Sequence, residues 1–431
     1  MKRSTLVAAV VLFLLGGYAY WLQDDGARDQ GSETVFDIEM DAIARVEIRR
    51  HGEEAENRVV IEREEGTWRV VSPVMAPADA SEVELVLENL ATMELERAIP
   101  IEVGTDRGAF GIETPRLEVR FFTVDGAEHG LRFGKDTLTP ANQYVERIDD
   151  AAVLVVASVL SNNLAKTAWD LRDKAIFNLR ENVPAKRISV RRPDDALVLE
   201  HEGEHWIVTT PRRARANRFD VTGFLSRFRR AEMVQIAAET ADDLSEYGLA
   251  SPRLVLRIEL DEGEPIVLEI GNKNVLDYFA RNPSRPQVFL LEAGLVELLE
   301  QDARDLWSTR LFDAPAYEVT QFQINARRVD KATTDAGDVW REAGTELDKK
   351  TVAELLSKIT AIEATAIRPE ALPFESLTTI TLWTETAEEE IKVGREKDDT
   401  VIAQRRGDAV TLELDLETWR EIEGLLNLDP L

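Results

Sequence analysis

The hydrophobic residues nearest the N-terminus form one uninterrupted run, LVAAVVLFLLGGYAYWL, from Leu6 to Leu22. A helix rises about 1.5 Å per residue, so this run with its uncharged neighbours is just long enough to cross a hydrocarbon core of roughly 30 Å. Two basic residues precede the run and two aspartates follow it, which by the positive-inside rule places the N-terminus in the cytoplasm. We therefore predict a cytoplasmic tip and transmembrane anchor over residues 1–23 and a polar linker over residues 24–34. A cleaved signal peptide is the alternative.

Beyond the linker, hydrophobic and polar residues alternate in short stretches such as IARVEIRR and TWRVV. Alternation of this kind is typical of half-buried β-strands joined by turns. After Asp79 the hydrophobic residues recur at helical spacing, which predicts a helix capped by this aspartate, and Asn217 and Asp348 occupy matching cap positions. The order β-β-β-α-β-β-β-β-α, with short connections, predicts an α+β fold with mainly antiparallel sheets.

Landmarks of the first part of the chain recur, in the same order, further along. Trp68 recurs as Trp206, and FGIETP recurs as YGLASP at almost the same spacing. Asp170 opens the segment DLRDKAIF, and Asp305 opens its counterpart DLWSTRLF, again at nearly this spacing. A third, shorter and divergent copy contains Trp340. Such a series predicts tandem modules, which we place at residues 35–177, 178–313 and 314–431.

Composition narrows the classes of partner and chemistry. The chain has 52 Lys and Arg against 81 Asp and Glu, a formal net charge of −29. A surface so acidic repels a phosphate backbone, so we expect no nucleic acid partner. There is no cysteine, which excludes disulfides, thiolate nucleophiles and cysteine-based metal sites. Stability must come from packing.

The segment HEGEH, from His201 to His205, matches the zinc-protease signature H-E-x-x-H. That signature works only on a helix, where both histidines share one face, whereas Gly203 and flanking strand patterns predict a β-turn here. We find no nucleophile elbow, P-loop or dinucleotide fingerprint either. We therefore predict no catalytic residues, no cofactor and no metal, although a pair among the many carboxylates leaves a glycosidase-like activity open.

Some recurring residues are candidates for interaction or for module junctions. The repeated tryptophans could form a binding stripe, but a role in anchoring a strand onto the module's helix explains their recurrence better. The charged cluster in DLRDK is interpreted as a helix-end salt-bridge network between modules, with docking of a partner as the alternative. The candidates are Trp68, Trp206, Trp340, Asp170, Arg172, Asp173 and Asp305.

The apolar run at the N-terminus, the recurring tryptophans, the elements FGIETP and YGLASP, and the segment DLRDK together resemble a bacterial family. The family is known as domain of unknown function 4340. The resemblance extends over nearly the whole chain from Phe36 onwards. The third copy departs from it, with Leu372-Pro373-Phe374 in place of a clear counterpart of FGIETP and YGLASP. That departure fits a terminal cap. Members of the family are often encoded beside gliding-type ABC transporter components, so the resemblance implies an extracytoplasmic accessory role in such a complex. It carries over no catalytic residues.

The sequence thus leads us to expect a single-pass protein of the bacterial inner membrane, with its bulk in the periplasm. Stacked modules offer long surfaces for protein contact, and we expect a scaffold or accessory subunit whose partners are other inner-membrane proteins, such as transporter subunits. The alternatives are an extracytoplasmic hydrolase or carbohydrate-active enzyme with paired carboxylates, and a module that binds envelope glycan or a solute.

Overall fold

The computed structural model describes residues 33–51, 57–100, 106–139, 141–149, 152–177, 184–335, 337–396 and 400–426. The predicted transmembrane anchor, residues 1–23, lies outside these ranges. Within them, no helix has both the length and the apolar character needed to span a bilayer.

Three sheets of nine strands each make up most of the structure. The chain forms two compact units, Met1–Lys174 and Ala175–Leu431; the first contains one sheet and the second contains two. Neighbouring strands pair antiparallel throughout the described registers. The predicted α+β class with mainly antiparallel sheets is therefore confirmed, and we call each sheet with its helices module 1, 2 or 3.

Module 1 contains β1 (Ile43–Arg50), β2 (Asn57–Glu64), β3 (Thr67–Ser72), β4 (Ala76–Pro77), α1 (Ala80–Ala91), β5 (Arg97–Ile99), β6 (Leu117–Thr123), β7 (Glu128–Asp136), β8 (Asn142–Arg147), β9 (Val153–Ala157), α2 (Val159–Leu164) and α3 (Ala168–Leu171), with 3-10 turns at Met40–Ala42 and Arg107–Phe110.

Module 2 contains β10 (Ala185–Arg191), β11 (Ala196–Glu202), β12 (His205–Thr210), β13 (Ala214–Arg215), α4 (Arg218–Arg229), β14 (Gln235–Ala238), β15 (Leu254–Leu260), β16 (Ile266–Asn274), β17 (Asp277–Arg281), β18 (Val288–Leu291) and α5 (Ala293–Glu300), with a 3-10 turn at Ala303–Leu306.

Module 3 contains β19 (Gln321–Ile324), β20 (Arg327–Thr334), β21 (Gly337–Glu342), β22 (Thr345–Leu347), α6 (Lys349–Ala361), β23 (Ala366–Arg368), β24 (Glu375–Trp383), β25 (Glu388–Arg395), β26 (Val401–Arg405), β27 (Thr411–Leu414) and α7 (Leu416–Leu425).

The three sheets share one topology. In module 1 the order is β4-β3-β2-β1-β6-β7-β8-β9-β5, so α1, which connects β4 to β5, links the two opposite edges of the sheet. Val83, Val86 and Leu90 of α1 are buried in the module's core, and Asp79 caps the helix by accepting from the amide of Ser81 at 2.9 Å. The sequence pattern missed the edge strands β4 and β5, because two or three residues are too few to show alternation.

The F/Y-G element is a turn that docks onto the sheet. Gly111 ends a 3-10 turn with a φ of +72°, a conformation that glycine adopts without steric cost. A Cβ added at Gly134, on β7, would collide with the carbonyl oxygen of Phe110. Module 2 repeats this arrangement with Gly248 and Gly271. The FGIETP element and its counterpart YGLASP are therefore packing devices.

Candidate functional site

The HEGEH segment is the tip of a β-hairpin. Strand β11 ends at Glu202, β12 begins at His205, and Gly203 between them has a φ of +58°. In the register, His201 pairs with Trp206 and Glu202 pairs with His205. Because neighbouring residues of a strand point to opposite faces, the two histidines lie on opposite faces of the sheet. The predicted turn is confirmed, and the helical geometry of a zinc protease is absent from this described segment.

His205 lies at the junction between modules 2 and 3. Its Nδ1 lies 3.1 Å from the carboxylate of Asp313, which is also 3.5 Å from the guanidinium of Arg215. Burial raises the pKa of the Asp313 carboxyl, but the hydrogen bond with His205 and the charges of Arg215 and Arg405 outweigh burial, so that the pKa is lowered. Asp313 is therefore a fixed anion at neutral pH.

Glu389 is the second buried carboxylate of this junction, with 3% of its surface exposed. One oxygen pairs with the guanidinium of Arg215, and the two oxygens accept from the backbone amides of Asp313 and Ala314, each at 3.0 Å. Such a set of donors satisfies a buried carboxylate and holds it in one place.

Arg405 is the buried cation of the junction, with 2% of its surface exposed. It pairs with Asp408 at 2.8 Å and donates to the backbone carbonyls of Arg310 and Ser308. Burial lowers the pKa of the Arg405 guanidinium, although Asp408 acts in the opposite direction. Asp408 also accepts from the amide of Arg215 at 3.1 Å. We call the set His205, Arg215, Asp313, Glu389, Arg405 and Asp408 the junction network.

A cleft of about 230 Å³ lies beside the junction network. Its lining mixes the carboxylates Glu204 and Glu318 with the cations Arg218 and Arg310. A glycosidase of the usual kind needs one carboxylic acid with a raised pKa, whereas the pKa of Asp313 is lowered and Glu389 is held by Arg215. Within the described ranges, no group of three or more His, Cys, Asp or Glu side chains has a metal-binding arrangement.

The three candidate tryptophans occupy matching strands. Trp206 and Trp340 are buried, and Trp340 packs in the module 3 core against Phe322, with ring centroids 5.5 Å apart. Trp68 is only half-buried and lines a groove of about 580 Å³ with Val83 and other residues of α1. The tryptophan ring is therefore buried in modules 2 and 3 and partly exposed to solvent in module 1.

The candidate charged residues lie at the ends of short helices. Asp170 forms a capping box with Thr167; burial raises the pKa of Asp170, but these hydrogen bonds outweigh it and lower the pKa. Arg172 is buried, and the amide of Asp173 donates to the carbonyl of Pro77. Asp305 lies in an exposed position of the turn Ala303–Leu306.

The junction network was not predicted from the sequence, although one signal for it was present. Val401 and Ala403 are buried on β26, so alternation places Arg405 on the same inward face. Arg405 pairs in the sheet with Ile391, and Glu389 lies two residues away on the same face of β25. A charged residue at an inward-facing position of a strand was therefore the sign of a buried ion pair.

Three sheets of one topology, built on recurring landmarks, define a tandem-repeat α+β protein. The family model described as domain of unknown function (DUF4340) matches residues 68–207 and 206–382, and the chain belongs to this family. The first match begins in β3 and ends in β12, so the unit of the family model is offset from the sheet that forms one module. Comparison with curated proteins finds no match, and neither does comparison with solved structures.

Proposed function

We propose that this protein is a membrane-anchored, extracytoplasmic scaffold or accessory subunit that holds other inner-membrane proteins, such as subunits of an ABC-type transporter. The apolar run at the N-terminus supports the membrane anchor in this proposal. The family resemblance supports the link to a transporter.

The junction network is the observation that carries the scaffold part of the proposal. Arg215 and His205 come from module 2, while Glu389, Arg405 and Asp408 come from module 3. Replacing a buried charge leaves its partner unsatisfied at a cost of about 3–5 kcal/mol, so the network resists separation of the two modules. A rigid pair of modules presents surfaces at a fixed spacing, which suits a protein that organises partners.

The test is purification of the full-length protein from its native membranes in mild detergent, followed by mass spectrometry of the proteins that accompany it. A chain lacking residues 1–23 is the matched control. We expect inner-membrane proteins to accompany the full-length chain and to be depleted with the control. A full-length chain that purifies alone contradicts the scaffold proposal and redirects attention to the cleft beside the junction network.

A further inference from the structure

A cationic cavity of about 320 Å³ lies in module 1, between the end of β1, the start of β6 and helix α2. Its lining includes Arg50, the last residue of β1, Arg116, which precedes β6, and Ser161 of α2. Among the described residues, no carboxylate lines it. The volume is within the range of sites for small ligands, which begins at about 300 Å³. The positive lining favours an anionic occupant.

Both arginines retain donors that the fold does not use. Within the described ranges, the Arg50 side chain forms no hydrogen bond or ion pair, and its Nε is buried. Arg116 bonds through Nη2 alone, which donates to Gln143, to Asp136 at 3.1 Å and to Ser161 at 3.4 Å. Because a buried donor without an acceptor is costly, a ligand that brings oxygen atoms to Arg50 would be stabilised there.

Module 2 contains matching arginines, and there the chain itself supplies their acceptors. Arg253 precedes β15 as Arg116 precedes β6, and Arg192 corresponds to Arg50 in the shared register of these sheets. Arg192 donates to two carbonyl groups at the end of α5, at 2.8 and 2.7 Å. Arg253 pairs with the carboxylate of Glu300, the last residue of α5. In module 2 the fold therefore satisfies both cations.

Ala165 is the residue of module 1 that matches Glu300. Each lies five residues before the aspartate that opens the recurring segment, Asp170 in module 1 and Asp305 in module 2. Ala165 lines the cavity, so a methyl group replaces the carboxylate that module 2 provides. The comparison of the two modules thus indicates which chemical group is missing beside Arg116.

We propose that this cavity binds the carboxylate of an external ligand, in the place that the carboxylate of Glu300 occupies in module 2. Guanidinium groups bind a planar carboxylate through paired N–H donors, and Arg50 and Arg116 outnumber the single carboxylate of Asp136. A small organic acid and a glutamate side chain of another protein both present this group. The site goes beyond the proposed scaffold function and does not depend on it.

The test measures binding of the α-amide of N-acetylglutamate to the full-length chain in detergent by isothermal titration calorimetry. The salt concentration is about 0.15 M, which screens exposed charges beyond about 8 Å. The neutral α-amide of N-acetylglutamine is the ligand control. Propionate represents a free acid, and inorganic phosphate represents a different anion.

Two variants address the site, and circular dichroism checks that each is folded. Arg50→Gln removes the arginine without an internal partner; its control is Arg49→Gln, at the exposed neighbouring position on the opposite face of β1. Ala165→Glu supplies the carboxylate from within the module. Its control is Ala127→Glu, which adds the same charge in the exposed turn at the other end of β6.

We expect about tenfold weaker binding, or more, for Arg50→Gln and Ala165→Glu, because each removes or occupies a hydrogen bond between charged groups. Both controls should bind as the wild type does, and the neutral amide should bind to none of the chains. Tighter binding of the glutamate amide than of propionate assigns the carboxylate to a protein side chain. The reverse order assigns it to a free acid.

Three results would overturn the proposal. The first is no binding of the glutamate amide to the wild type, or equal binding to all variants. The second is tighter binding of phosphate than of both carboxylates, which assigns the cavity to a different anion. The third concerns residues 52–56, which lie outside the described ranges and include Glu53, Glu54 and Glu56. Binding that occurs only when all three are replaced by glutamine assigns the cavity to the chain's own carboxylates.

Discussion

Two regions of module 2 differ in whether their arginines are buried in ion pairs or exposed. At the junction network, Arg215 is buried and paired with Glu389 and Asp313. On α4, the next helix along the chain, Arg227 and Arg230 are exposed and bond to no carboxylate of the described structure. A guanidinium that is surrounded by acceptors stabilises the fold, whereas an exposed guanidinium that bonds to no carboxylate is solvated by water and contributes little to stability.

Substitutions in the two regions should therefore change the stability of the protein by different amounts. Changes in the junction network should lower the free energy of unfolding of the second unit. Changes of the exposed arginines of α4 should leave that free energy nearly unchanged.

Arg405→Met should destabilise the second unit by about 3–5 kcal/mol, because it leaves Asp408 and two carbonyls buried without their donor. Urea unfolding followed by tryptophan fluorescence measures the change. Arg406→Met is the matched control: Arg406 is the next residue, with a side chain 67% exposed and paired with Glu388, and its loss should cost at most about 1 kcal/mol. Equal shifts for the two variants would refute the structural role of the network.

Asp313→Asn should cost about 1–3 kcal/mol at neutral pH, since a hydrogen-bonded anion is replaced by a neutral amide. The pKa of Asp313 is lower in the folded protein than in the unfolded chain, where it is about 3.9. Its contribution is therefore fully present above about pH 4 and is lost as the pH falls through the folded pKa. Unfolding measured from neutral to acid pH should show the wild type approaching the variant at low pH. A constant difference at all pH values, or one matched by the exposed Asp194→Asn, argues against this account.

Gly223→Ala should stabilise the protein by about 0.5–1 kcal/mol, because alanine loses less conformational freedom in a helix and meets no obstacle. Gly271→Ala is the counterpart in the same module, and it should destabilise because its Cβ collides with the carbonyl oxygen of Tyr247. Thermal unfolding distinguishes the two signs. A destabilising Gly223→Ala would contradict the open space around this position.

Lys358→Ala should cost about 0.2–1 kcal/mol through the loss of its ion pair with Glu421, whereas Arg227→Ala should cost nearly nothing. The difference between two matching helix positions is measured by chemical unfolding of both variants in parallel. A cost for Arg227→Ala equal to that for Lys358→Ala would show that Arg227 already has an internal partner.

Much of the fold could be predicted from periodicity and repetition. Asp79, Asn217 and Asp348 cap the long helices by accepting from their first amides, as their positions before helical patterns indicated. The edge strands of two or three residues escaped prediction because their pairing depends on the neighbouring strand and not on their own pattern.

The candidate site was less predictable, for a physical reason. Arg405 and Glu389 lie on different strands, β26 and β25, and alternation marks both as inward-facing without telling which charges meet across the module boundary. The unpaired state of Arg227 depends on Leu298, which belongs to the separate helix α5. Such relations appear only when the helices are placed side by side.

The most direct test of the scaffold account is photocrosslinking in the native host, with benzoylphenylalanine in place of Phe219, an apolar residue of α4 that is 61% exposed. Lys350, at the matching exposed position of α6, is the control site. We expect adducts with an inner-membrane partner from position 219 and none from position 350. An absence of adducts at position 219, or equal adducts at both positions, would contradict the claim that module 2 presents the docking surface of a scaffold.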